Sequence, residues 1–82
     1  MERLTASEEN PLFLIRFSQP RVMWRITKVH YVAVDLPLIC NVRHKNKDKS
    51  LTWFTLASGD RLLTYTEAVA HKLRTLNVIV ID

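Results

Sequence analysis

The residues best suited to chemistry in this chain are cations. Arg43, Lys45, Lys47 and Lys49 put four permanent positive charges into residues 43–49, with His44, Asn46 and Asp48 between them. Ammonium and guanidinium groups at this density attract phosphates and carboxylates, with an affinity that falls as salt screens them. Phe54 follows closely, and an aromatic beside Arg43 and Lys45 is a usual composition of nucleic-acid and protein contacts. Trp53 and Phe54 are adjacent, so in a strand they point to opposite faces. If Trp53 joins the core, Phe54 lies on the other face. The expected nucleic-acid-binding residues are therefore Arg43, Lys45, Lys47, Lys49 and Phe54. A lysine-rich turn is also what a plain solvated loop carries, so presentation decides the matter.

Other chemistries find less support. His30, Cys40, His44 and His71 are the soft metal ligands to consider, and no C-x-x-C or H-x-x-x-H spacing joins them. On one strand Cys40 and His44 would share a face but stand roughly 13 Å apart, too far to share an ion. Cys40 alternates with Leu38 and Val42, which makes it a small buried hydrophobe. No metal or cofactor is expected. Nor is there a glycine-rich phosphate loop or a serine in a nucleophile elbow. The acids are scattered: Asp35 and Asp60 at turns, Asp48 among lysines, Glu67 in a helix cap. The chain is expected to be non-enzymatic.

The elements that would hold the cations follow from patterning. Residues 12–17 form a first strand, bounded by Ser18, Gln19 and Pro20. Val22, Trp24 and Ile26 then alternate with Met23, Arg25 and Thr27. After Lys28 the apolar phase moves to Val29, Tyr31 and Ala33, which predicts a bulge near Thr27 and Lys28, or two strands meeting there. Pro37 breaks the pattern. Leu38, Cys40 and Val42 resume on one face, with Asn41, Arg43 and Lys45 on the other. Residues 46–50 turn the chain and 51–56 run back, so the lysines sit at a hairpin tip. Gly59, the single glycine, marks the next turn; the other turns must use Asn, Asp and Ser.

Thr64, Tyr65, Thr66 and Glu67 spell a capping box. Behind it Tyr65, Val69, Leu73 and Leu76 recur at helical spacing, predicting one amphipathic helix over about 65–76 that stops near Asn77. Residues 78–81 are an unbroken Val-Ile-Val-Ile run, the pattern of a strand buried on both faces. The fold class expected is α+β: an antiparallel sheet of four to five strands, this helix, and a C-terminal strand. Tyr65, Val69, Leu73 and Leu76 would pack against some of Trp24, Ile26, Leu38, Val42 and Trp53.

Eighty-two residues allow one domain, here 11–82, after a flexible leader at 1–10. Three of the eight acids lie in that leader. From residue 11 onward eleven Lys/Arg face five Asp/Glu, a balance of +6 against +4 for the whole chain. A pI near 9.6 favours an anionic partner. One cysteine, no apolar run of membrane length and an acidic, polar start predict a soluble cytoplasmic protein.

Residues 61–70 resemble the strand-to-helix junction of the arm-binding domains of tyrosine recombinases and of plant AP2-type DNA-binding domains. That resemblance implies a three-stranded antiparallel sheet backed by one helix and laid into the DNA major groove. It covers about ten residues and assigns no DNA-reading residue here, and the strand predicted at 78–81 is foreign to that plan. Two functions are expected from these observations. The first is a small module that contacts nucleic acid through the basic hairpin and its aromatic face. The alternative is a protein–protein adaptor or inhibitor, of viral or mobile-element type, docking through a strand edge or the hairpin. An acidic protein is then the partner, and a homodimer through the C-terminal strand would cover that strand's edge.

Overall fold

A computed structural model describes residues 4–32 and 40–82 of the chain. Ala33, the break at Pro37, Asp35 and Leu38 lie outside the described residues. The elements are β1 (Leu12–Arg16), β2 (Gln19–Tyr31), β3 (Cys40–Lys45), β4 (Leu51–Thr55), β5 (Arg61–Leu63), α1 (Tyr65–Arg74) and β6 (Ile79–Ile81). The sheet runs β4-β3-β2-β1-β5 with antiparallel neighbours, and β6 joins β2 in parallel. The α+β class holds, with six strands rather than four or five among the described residues. The addition is β5, whose three residues are too few for alternation to register. The strand-to-helix junction at 61–70 is present, but it belongs to an edge strand of this larger sheet.

The 13-residue β2 is the spine. Its first half lies between β1 and β6, and its second half pairs with β3. Between them the register slips from Ile26↔His44 to Lys28↔Arg43, which leaves Thr27 as the extra residue of a bulge. The bulge is where the phase shift in the sequence placed it. It turns Ile26 and Val29, of opposite parity, to the same face, and the Thr27 hydroxyl donates to Arg43 O at 3.3 Å.

One face holds Leu12, Leu14, Ile26, Cys40 and Val42, with Trp24, Val29, Phe54, Leu56 and Leu62 packed against them. The sheet curls around this cluster. Trp24 on β2 and Phe54 on β4 bring their rings to 4.9 Å across the intervening β3, where a flat sheet would hold those strands about 9–10 Å apart. Arg16 on β1 reaches over the same Phe54 ring, its guanidinium carbon 5.6 Å from the centroid. Asp60, in the short turn joining the two outer strands, fixes the curl: its carboxylate accepts from Phe17 N and Ala57 N and pairs with Arg16 at 3.2 Å.

The opposite face carries a smaller cluster of Phe13, Ile15, Met23, Leu63 and Ala68. Here the packing departs from expectation. The capping box is complete, with Thr64 N donating to Glu67 and Glu67 N to Thr64 Oγ1, and Thr64's hydrogen bonds hold the Glu67 carboxyl below its ordinary pKa. Yet Ala68 is the one buried residue of α1, while Tyr65, Val69, Leu73 and Leu76 stay exposed. Thr64 alone separates β5 from α1, so strand and cap together fix the helix's rotation and bring small Ala68 down onto Phe13 and Leu63. Trp24, Ile26 and Val42, expected beneath the helix, line the other face. The helix ends at Arg74, two residues early, and Asn77 takes a left-handed φ of 61° in the turn that follows. The run at 78–81 is not buried on both faces: Ile79 is exposed, and Val80 and Ile81 are half-buried.

Candidate nucleic-acid interface

The β3–β4 hairpin presents its cations as alternation requires. Cys40, Val42 and His44 point into the curled sheet; Asn41, Arg43 and Lys45 point out. His44 is wholly buried, its Nδ1 2.8 Å from Arg25 O and its ring edge-on to Trp24. Cys40 is buried as a free thiol, and burial pushes its pKa up.

At the tip, Asn46 N donates to Ser50 O and Lys49 N to Asn46 O, and Lys49 adopts a φ of 69°. A lysine in this left-handed region is strained, since the position favours glycine or asparagine. Asp48 spends its carboxylate on Ser50, accepting from both its amide and its hydroxyl, and these bonds lower its pKa. It forms no salt bridge with Lys47 or Lys49, but it stays ionised between them and offsets part of their charge. Lys47 and Lys49 are exposed and form no salt bridge among the described residues.

Lys45 differs. Its Nζ lies 2.9 Å from Glu8 Oε1. The hydrogen bond and charge of Lys45 hold the Glu8 carboxyl below its ordinary pKa, with smaller pulls from Arg25 and Arg43. Residues 4–10, read as a leader, are thus tied to the sheet: Arg25 also donates to Glu8 O, and Leu4 N donates to Tyr31 Oη.

The aromatic beside Arg43 on the outer face is Trp53; Phe54, expected there, lies on the inner face. Phe54 is half-buried in the inner cluster against Trp24, because Val42↔Phe54 pairing puts it on Val42's inward face. Trp53 pairs with outward Arg43 and is 49% exposed, with the Arg43 guanidinium carbon 5.8 Å from its ring centroid. The assignment rests on the hairpin register, which pairs Arg43 with Trp53 and which the length of the turn sets. The bulge adds Lys28, which pairs with Arg43 from the other side. A row Lys28–Arg43–Trp53 therefore crosses three strands on the outer face, beside a second row of Lys45 and Leu51. The helix packs on β1 and β5 and not on β3 or β4, so it does not cover this half, which Glu8 reaches through Lys45 and Arg25.

No protein-family model, curated protein or solved structure matches this chain. Among the described residues no helix is long and apolar enough to cross a membrane, and no three His, Cys, Asp or Glu side chains converge as a metal site.

Proposed function

We propose that this protein is a non-enzymatic module that binds single-stranded nucleic acid on the open outer face of the β3–β4 hairpin. The observation that carries this reading is Trp53, half-exposed beneath the Arg43 guanidinium at the root of a hairpin whose tip lysines form no salt bridge among the described residues. An indole stacks on an unpaired base whatever its identity, and a cationic groove follows the backbone. Arg43, Lys47 and Lys49 meet phosphates, joined by Lys28, while Lys45 is held by Glu8 and joins them when that contact is released; Trp53 takes the stacking role first expected of Phe54. The buried free thiol of Cys40 is consistent with a reducing compartment such as the cytoplasm.

The test is titration of the full chain with a labelled oligonucleotide, read by anisotropy. Trp53→Ala is expected to cost about 1–3 kcal/mol of binding, the range for one stacked base. Charge reversal at Lys47 and Lys49 abolishes binding. A protein that fails to bind DNA or RNA even at low ionic strength has another function.

A further inference from the structure

We infer that residues 4–10 are an autoinhibitory strap, whose Glu8 carboxylate occupies, beside Lys45 and Arg25, a position that a phosphate of the bound strand would take. This assigns a regulation to the nucleic-acid face and rests on that reading.

The strap is held at both ends. Leu4 N donates to Tyr31 Oη at 2.9 Å, Tyr31 Oη donates to Leu4 O at 3.4 Å, and Ala6 packs against the inner cluster. Ser7 N donates to Asn10 O and Asn10 N to Ser7 Oγ, which closes a loop with Glu8 and Glu9 at its crown. Pro11 and β1 follow at once. The loop thereby brings Glu8 onto the outer face, where its Oε1 lies 2.9 Å from Lys45 Nζ and its backbone carbonyl accepts from Arg25.

The cations it meets belong together. Ile26 pairs with His44, so one step along the antiparallel strands brings Arg25 beside Lys45. Arg25 pairs with Phe13 of the outer cluster, which fixes its outward side. Arg43, which lies over Trp53, also attracts the Glu8 carboxylate. A carboxylate offers a lysine and an arginine what a phosphodiester offers them, one negative charge on two acceptor oxygens. A strand that stacks on Trp53 and reaches Lys45 must therefore lift Glu8 away.

The contact is one that a strand can break. Glu8 is 55% exposed and Lys45 40%, so the pair is weak by itself. Its tether compensates, because a competitor on a short intramolecular link acts at an effective concentration on the order of millimolar. The strap tunes affinity and does not abolish it.

The experiment is anisotropy titration of a labelled single-stranded oligonucleotide at low salt, with the fold of each full-length variant verified by circular dichroism. The variants are Glu8→Gln, Glu9→Gln, Lys45→Gln and the double variant Glu8→Gln/Lys45→Gln. Glu9 carries the same charge one residue on and forms no salt bridge among the described residues, so Glu9→Gln measures net charge alone. Glu8→Gln should tighten binding roughly 2–5-fold more than Glu9→Gln does, the worth of one exposed ion pair, and most of that excess should vanish when Lys45 is replaced. The backbone amide resonances of residues 7–10 should shift as the oligonucleotide is added. Equal effects of the two glutamine variants, with wild-type binding intact, overturn the strap and leave the binding face standing. An excess undiminished by Lys45→Gln also overturns it. If neither the wild type nor Glu8→Gln binds at low salt, the nucleic-acid reading falls and the strap falls with it.

Discussion

Asp60→Ala should be among the most damaging single changes in this chain. The Asp60 side chain is 3% exposed and holds three partners at once: Phe17 N at 3.2 Å, Ala57 N at 2.9 Å and the Arg16 guanidinium at 3.2 Å. Truncation leaves two amides without their acceptor and Arg16, 26% exposed, without its counter-charge. Breaking a buried pair from one side costs about 3–5 kcal/mol. A domain of this length has only ~4–12 kcal/mol in total. At ~4–8 °C per kcal/mol, the melting temperature should fall by at least about 12 °C. Arg16→Leu should cost less, because Asp60 keeps both amides. Thermal and urea unfolding of the wild type, both single variants and the double variant measure these terms and their coupling. An Asp60→Ala shift below about 4 °C would refute the claim that this carboxylate holds the curled sheet closed.

Gly59, next in the same turn, has a φ of +91°, and an added Cβ would lie 3.1 Å from Phe17 Cβ. Gly59→Ala should therefore destabilise by more than ~1 kcal/mol in urea unfolding, and a neutral effect would contradict the geometry. Lys49→Gly should do the reverse at the hairpin tip, stabilising by roughly 0.5–1 kcal/mol as left-handed strain is relieved, while weakening oligonucleotide binding through the lost cation. Glu8→Gln should release Lys45 from its internal partner and steepen the salt dependence of binding by about 0.7 on a log–log plot, one further phosphate contact on a single strand. Because the folded pKa of Glu8 is depressed, its contact with Lys45 is present above the ordinary carboxylate range and lost as pH falls through the lowered value. The difference between Glu8→Gln and wild type should hold from pH 8 down to about pH 5 and shrink only below that.

Much of this architecture is legible in the sequence where local chemistry fixes it. The capping box, the bulge at Thr27, the hairpin with its outward Arg43 and Lys45, and the left-handed Asn77 all follow from patterns a few residues long. What escaped is non-local. The helical periodicity of Tyr65, Val69 and Leu73 marks an apolar side correctly, though Leu76 falls beyond the helix end, but it cannot say whether that side meets this chain's own sheet. The one-residue connection from β5 turns Ala68 inward instead. The choice between Trp53 and Phe54 likewise rests on cross-strand register, and size alone made either a fair core residue. The Glu8–Lys45 contact joins residues 37 apart with no local signature.

The most direct test of the central claim is the salt dependence of single-stranded oligonucleotide binding by the wild type and by Lys47→Glu/Lys49→Glu. If the hairpin cations meet phosphates, log affinity should fall linearly with log salt with a slope of about −2 to −3, roughly −0.7 for each of three or four contacts, and the double variant should lose that dependence along with the binding. A flat salt response, or binding that survives reversal of both lysines, would contradict the account.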